Sequence, residues 1–184
     1  MVGSKIDSLL VDISNRLEEG KGPAKDNLAV FLEEIKEVME NFFEESTNRD
    51  NRGKLRLSAV GREDRKLWYD YHGYEKEPLN TDARIKFCFG HLLEAFVLLL
   101  VKEAGHSVKD CQKEVTVGQV KGHIDCLIDD ELVDVKSASP YGFKKFVDGS
   151  ILKGDDPFGY MYQLSSYGKA LKKEKGYFLS IDKS

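Results

Sequence analysis

The residues best able to do chemistry are crowded into one stretch, GHIDCLIDDELVDVKSAS, from Gly122 to Ser139. It reads as two short strands, Ile124–Ile128 and Glu131–Ser137, joined by the polar pair Asp129–Asp130. With that pair as a two-residue hairpin loop, Ile128 faces Glu131, and counting outward sets Asp125 opposite Asp134. Lys136 lies two positions beyond Asp134, so strand alternation puts both side chains on one face. Two carboxylates directly across a ladder repel and weaken the sheet. Set beside a lysine, they read most simply as holders of a cation; the plain alternative is a solvated hairpin face. The repulsion also predicts that Asp134→Asn leaves the metal-free protein as stable as before, or more so. A third acid, Glu94, sits inside an apolar helical run. A carboxylate buried there needs a cation, a hydrogen-bonding partner or a raised pKa, unless it lies on the helix's one wet stripe.

Glu94, Asp125 and Asp134 offer three hard oxygen ligands with no His or Cys cluster beside them, a set that suits Mg²⁺ or Mn²⁺ rather than zinc. Such an ion polarises a phosphoryl oxygen and lowers the pKa of a bound water. Lys136 would orient that water or offset charge developing on the phosphate. The combination suits phosphodiester hydrolysis, in which metal and lysine must lower the barrier by on the order of 20 kcal/mol. The sequence has no competing nucleophile–histidine arrangement, no Walker loop and no GxGxxG.

These groups need elements to hold them. Ile6, Leu9, Leu10, Ile13 and Leu17 are spaced for a helix over residues 5–19, stopped by Gly20 and Gly22–Pro23. A longer helix over 24–45 lines up Leu28, Phe31, Ile35, Val38, Met39 and Phe42. The two make an αα-hairpin, read as a packing cap or, alternatively, as a docking or oligomerisation element. Residues 46–53 read as a polar linker. A short helix, Arg62–Tyr71, mixes Trp68, Tyr69 and Tyr71 with Arg62, Arg65 and Lys66. Ser58 before it could cap that helix or bind a phosphate. Thr81–Asp82 opens a helix to about Ala104 whose second half is almost wholly apolar, which marks the buried core helix. His106–Val117 reads as a first strand, and the hairpin supplies two more. A short helix from Tyr141 to Val147 carries Lys144 and Lys145. After a loop over 150–156, Pro157 opens a helix to about Lys173, and Tyr177–Ile181 is a last strand. Gln163 and Tyr167, four apart, share one face of that helix. The order gives an α/β (α+β, mixed-sheet) fold with the main helix on one side. The expected domains are an acidic helical hairpin, 1–50, and a core, 51–184.

Composition fits a globular protein able to bury a core, with 41% hydrophobic and 33% charged residues. The longest apolar run, Ala95–Val101, is too short to span a bilayer, so no membrane partner is expected. The opening MVGSKIDSLL lacks an apolar stretch leading to a cleavage site. Cys88, Cys111 and Cys126 form no CxxC pair and suggest reduced thiols in a cytoplasm. A net charge of −4 speaks at first against nucleic acid. Residues 1–50, however, carry a net −6, which leaves +2 on residues 51–184, a balance compatible with a polyanionic partner.

Five segments then stand in order: Gly61-Arg-Glu-Asp-Arg65-Lys-Leu-Trp-Tyr69, Gly90-His-Leu-Leu-Glu94, Gly122-His-Ile-Asp125, Asp134-Val135-Lys136 and Gln163-Leu-Ser-Ser-Tyr167. The last four resemble the motifs of the PD-(D/E)XK nuclease superfamily: the core-helix acid, the strand Asp, D-x-K, and the QxxxY of the RecB-like branch. The first is similar to the G-x-C-P-R-x-L-W-Y segment of the CRISPR-associated adaptation nucleases. The resemblance runs from about Leu57 to Ser180 and implies a restriction-endonuclease-like core. It implies one or two Mg²⁺ or Mn²⁺ ions on Glu94, Asp125, Asp134 and the main-chain carbonyl of Val135, with Lys136 helping to activate water. It implies DNA as partner, single-stranded or at duplex ends, with Gln163 and Tyr167 contacting it near the cut and bracing the site. Ser58, Arg62, Arg65, Lys144 and Lys145 are the further residues expected on DNA. Two departures matter. Glu94 stands where RecB-type nucleases usually have His, as in other branches. Glu63 stands at the place of an iron–sulfur Cys, and the three C-terminal cysteines are missing, so no iron–sulfur cluster is expected. The implied function is an exonuclease of recombination, repair or phage DNA processing in a bacterial or phage-infected cytoplasm, with a homo-oligomer through the N-terminal helices as an option. The alternatives are a structure-selective or site-specific endonuclease of the same fold and a catalytically silent nucleic-acid-binding module.

Overall fold

Helical periodicity punctuated by Gly and Pro becomes helices with nearly the expected ends. A computed structural model of the chain describes residues 5–44, 54–74 and 77–183, so the linker expected at 46–53 lies outside the described residues. The chain forms two compact units. The first takes Met1–Thr47, Pro78–Lys109 and Leu127–Asp130; the second takes Asn48–Glu77, Asp110–Cys126 and Glu131–Ser184.

In the first unit, a 3₁₀ turn Lys5–Ser8 leads into α1 (Leu9–Glu18), and α2 spans Lys25–Glu44. Both pack on α4 (Thr81–Glu103), which Asn80 caps by accepting from the Ala83 N–H at 2.8 Å. The α1–α2 turn is stitched to the end of α4 by one carboxylate. Glu103 accepts from Arg16 at 2.7 Å, from the Ala24 N–H at 2.9 Å and from Asn27 at 2.7 Å. The Asn27 bond, set against burial and joined by Ala24 and Arg16, holds that carboxyl below its ordinary value. Ala95, Val97, Leu98, Leu99 and Val101 are buried, as expected of a core helix, but Phe96 is 45% exposed and stands edge-on to Phe31. Strand β1 (Val108–Lys109) pairs antiparallel with β4 (Cys126–Ile128), Val108 opposite Ile128.

The strand expected over His106–Val117 is broken. Asp110 and Gln112 both have φ near +53°, a left-handed conformation that turns the chain after β1. Within the second unit the chain resumes as β2 (Glu114–Val117), which forms a hairpin with β3 (Val120–His123) through Gly118–Gln119. Ile124 and Asp125 lie between strands, so the expected strand Ile124–Ile128 shortens to β4.

The rest of the second unit is a crossover. The long strand β5 (Glu131–Ala138) runs parallel to β6 (Gly176–Asp182), with Asp134 opposite Phe178 and Lys136 opposite Ser180. Parallel neighbours need a long connection, and α5 (Pro140–Val147) and α6 (Tyr160–Leu171) supply it. Helix α6 starts later than the expected Pro157 because Gly159 takes a left-handed φ of 74° and Asp156 accepts from the N–H groups of Tyr160 and Met161. Helix α3 (Asp64–Tyr71) begins behind Glu63, not at Arg62. Leu132, Val133, Asp134 and Val135 are buried in succession, as in a strand covered on both faces rather than a half-solvated hairpin. The protein is thus a mixed α/β protein with strands paired both antiparallel and parallel. Among the described residues no helix is long and apolar enough to cross a membrane.

Candidate functional site

Strand β5 carries the charge that its surroundings least favour. Asp134 is 1% exposed, between Val133 and Val135, which are buried as well. A buried carboxylate must be paired, and Lys136 pairs with it: Nζ lies 2.6 Å from Asp134 Oδ2, as two-residue spacing on one strand face requires. Lys136 is itself mostly covered, and its ammonium sits 4.9 Å from the centre of the Tyr160 ring. Burial works against that ammonium. The charges of Asp134 and then Asp125, the hydrogen bond to Asp134 and the nearby Tyr160 outweigh it and hold Lys136 above its ordinary pKa. Asp125 therefore shares the site electrostatically, though not as a ladder partner of Asp134. It precedes β4, and its Oδ2 accepts from the Val135 N–H at 2.8 Å, taking the place of a strand acceptor. The expected face-to-face carboxylate pair is corrected in this respect: one carboxylate caps the backbone of β5 and the other pairs with lysine.

Helix α6 brings up the second tier. Tyr160, Gln163 and Tyr167 are spaced three and four apart and so share a face. Gln163 donates to the Tyr167 hydroxyl at 3.1 Å. Burial raises the phenol pKa of both tyrosines. Asp134 adds to this in each case, while Lys136 opposes it. Tyr167 was expected at a DNA surface, but it is 1% exposed, and this corrects that expectation: its ring is sealed inside and braces the site. The reason is Gly122. A Cβ there would stand 2.7 Å from Leu57 Cβ and 2.9 Å from Tyr167 Cε1, so the absence of a side chain lets the ring lie directly on β3. Gly61 and Gly159 make a similar close approach, with Cα of Gly159 2.9 Å from where a Gly61 Cβ would be. That contact brings the Arg62 segment to the start of α6, where Arg62 acts on the Tyr160 phenol.

The remaining expected residues divide. Arg62, Arg65 and Lys144 are exposed cations of the second unit. Arg65 lies over the Tyr69 ring at 5.8 Å. Lys145 is not a free cation: it is tied to Asp155 and stands over the Tyr141 ring at 5.0 Å. Ser58 lies half-buried in a 3₁₀ turn, Leu57–Ala59, and does not cap α3, whose cap position is Glu63. Glu94 belongs to α4 of the first unit. It is half-buried, with His91 Nδ1 3.8 Å away, so it is neither deeply buried nor on a fully wet stripe.

Sequence reasoning missed Tyr160 and the cavity beside it. The signal was there for Tyr160, at the i, i+3, i+7 spacing with Gln163 and Tyr167. Among the described residues no three or more His, Cys, Asp or Glu side chains gather as a ready metal centre. The hard donors of the second unit are the two carboxylates Asp125 and Asp134 and the backbone oxygen of Val135. Comparison of the chain with protein-family models, with curated proteins and with solved structures finds no match.

Proposed function

We propose that this chain is a Mg²⁺- or Mn²⁺-dependent deoxyribonuclease of the PD-(D/E)XK type, acting from DNA ends. The observation that carries the reading is the buried Asp134 with the Lys136 ammonium 2.6 Å away and the Asp125 carboxylate on the N–H of the residue between them. A D-x-K whose acid and lysine were merely solvated would not be sealed in this way.

The donor set fits a hard cation. Asp125 and Asp134 carry two negative charges against the one positive charge of Lys136. In a strand the N–H and C=O of one residue project from the same edge. Because the Val135 N–H reaches Asp125, the Val135 carbonyl projects to the side on which Asp125 stands. Asp125, Asp134 and the Val135 oxygen would hold the ion, with oxygens of the kind that Mg²⁺ and Mn²⁺ prefer. Glu94 enters as a ligand on the sequence argument alone. When bound, the ion supplies a Lewis acid for the phosphoryl oxygen and a water of lowered pKa. Lys136, kept charged by its neighbours, orients the attacking water and offsets charge growing on the phosphate. Tyr167 and Gln163 fix the floor from α6, and Arg62, Arg65 and Lys144 offer contacts to the DNA backbone.

Digestion of end-labelled single- and double-stranded linear DNA and of closed circular DNA, with Mg²⁺ and with Mn²⁺, tests the reading. Linear DNA should shorten from its ends while circles survive. Lys136→Ala and Asp134→Ala should each lose at least about 10²-fold in rate, with the variants still folded by circular dichroism. Retained activity in either folded variant removes the site assignment. Circles cut as readily as linear DNA would replace the exonuclease with an endonuclease. Glu94→Gln with an undiminished rate would take Glu94 out of the site.

A further inference from the structure

The second unit has a cavity of about 370 Å³ lined by Lys136 and Tyr160 of the site just described. Its lining also includes Tyr141, Phe146, Phe158, Lys145 and Lys183. Tyr141 is 73% exposed and Phe158 63% exposed. Large rings left in water while lining one cavity mark a binding surface more readily than a core. Phe158 and Tyr160 are near-parallel, 28° apart with ring centres 5.4 Å apart, and Phe146 also lies near-parallel to Tyr160, at 6.2 Å and 22°. These rings form a fixed platform.

The charges around the cavity select the occupant. Asp155 is neutralised by Lys145, and the Asp156 carboxylate is taken up by the N–H groups of Tyr160 and Met161. Asp156 keeps its charge, which acts on Tyr160 and Lys145, but the lining lysines Lys136, Lys145 and Lys183 outnumber Asp155 and Asp156. Lys183 is exposed, and Lys136 in the lining is the lysine assigned above to the scissile phosphate. The volume suits one nucleotide. A base within a duplex has both faces covered by its neighbours and has no face to offer a ring, whereas an unpaired base does.

We propose that this cavity seats one unpaired nucleotide, its base against the exposed rings of Phe158 and Tyr141, with the adjoining phosphate at Lys136. The substrate end is then single-stranded where it meets the site, and stacking makes the choice of base permissive. The inference rests on the nuclease reading for what happens to that phosphate, but the binding it describes does not need cleavage.

The test is fluorescence anisotropy of the full chain in EDTA, where nothing is cut, with three probes: a labelled ten-residue oligothymidylate, the same length of abasic strand, and a blunt duplex of ten base pairs. Oligothymidylate should bind at least about tenfold more tightly than either of the others, since one stacked base is worth roughly that factor. Phe158→Ala and Tyr141→Ala should each remove most of that tenfold and leave duplex and abasic binding unchanged. Both side chains are mostly in water, so the melting temperature should hold. Equal affinity for abasic strand and oligothymidylate, or unchanged oligothymidylate affinity in both variants, overturns the proposal. If Mn²⁺-dependent cleavage is present while the two variants bind as wild type, the nuclease stands and the cavity assignment falls. If stacking is lost in the variants but no metal ion supports cleavage, the nucleotide seat stands and the nuclease falls.

Discussion

Asp134 was expected to suffer from a neighbouring carboxylate; it is instead one half of an ion pair with Lys136, which reverses a stability prediction. With two carboxylates in simple opposition, Asp134→Asn should relieve repulsion. With Lys136 Nζ at 2.6 Å and largely covered, the same change strips a buried ammonium of its hydrogen-bonded counter-charge and leaves it only the weaker influence of Asp125. Breaking a buried pair from one side costs about 3 kcal/mol. Asp134→Asn should therefore lower metal-free stability in urea unfolding at neutral pH, by less than that amount because Asp125 still compensates part of the charge. An unchanged midpoint would mean that the pair contributes nothing to the fold. The pH dependence follows from the sign of the lysine shift. Lys136 has its folded pKa above its ordinary 10.5. Its contribution is thus complete below 10.5 and is lost as pH rises through the higher folded value. Wild type should lose stability in that alkaline window more steeply than the Asn variant. The D-x-K spacing, the QxxxY pair and the same-face relation of Asp134 and Lys136 could all be read from the sequence, because each is a local pattern on one element. The partner that Asp125 takes could not be read, because it depends on where the preceding strand breaks.

At the scale of elements, two turns decide what the side chains can reach. Gly122 admits the Tyr167 ring onto β3, and an added methyl would meet Leu57 Cβ at 2.7 Å. Gly122→Ala should cost about 1–3 kcal/mol, as overpacking does, and slow cleavage by moving the brace. Full stability and full rate in that variant would show that α6 tolerates a shift there. The second turn, Asp129–Asp130, has positive φ at both residues, 49° and 66°, the type I′ pair expected of a two-residue hairpin loop. It is anchored within the first unit: Asp129 accepts from the Ser107 N–H at 3.0 Å and pairs with the buried His106, which also reaches Asp12 at 3.2 Å, and Lys5 lies 3.4 Å away. Burial opposes ionisation of Asp129, but His106 and the Ser107 N–H prevail, so its pKa lies below the ordinary 3.8. A depressed carboxyl contributes fully above 3.8 and ceases to as pH falls through the folded value. Melting temperatures should hold from pH 7 to about pH 5 and fall below pH 4. Asp129→Asn keeps the turn conformation and should be less stable at pH 7 with a flatter acid limb; an identical limb would place the acid sensitivity elsewhere. The long helices and this loop were legible because periodicity and turn chemistry fix them locally. The break at Asp110 and Gln112 was not, since neither residue announces a left-handed φ. The β2–β3 hairpin had a sign in Val117-Gly118-Gln119-Val120, a Gly opening a two-residue loop between apolar positions.

For the whole molecule, a net charge of −4 would ordinarily count against a nucleic-acid partner. Binding, however, is decided by the cations that reach phosphate, since at 0.1 M salt charges more than about 10 Å away are largely screened. In the second unit Lys145 is already committed to Asp155, while Arg62, Arg65 and Lys144 stand exposed. Each phosphate contact on a single strand adds roughly −0.7 to the slope of log affinity against log salt. Three such contacts, with the phosphate at Lys136 as a fourth, predict a slope of about −3 for oligothymidylate binding in EDTA between roughly 50 and 300 mM salt. The double variant Arg62→Ala with Arg65→Ala should reduce its magnitude to about −1.4. The same variant should leave the tenfold preference for oligothymidylate over abasic strand intact, because stacking is uncharged and does not follow salt. A wild-type slope near zero would remove these cations from the interface. A slope that the double variant leaves unchanged would assign the phosphate contacts to other residues, and with them the path by which a DNA end reaches Asp134 and Lys136.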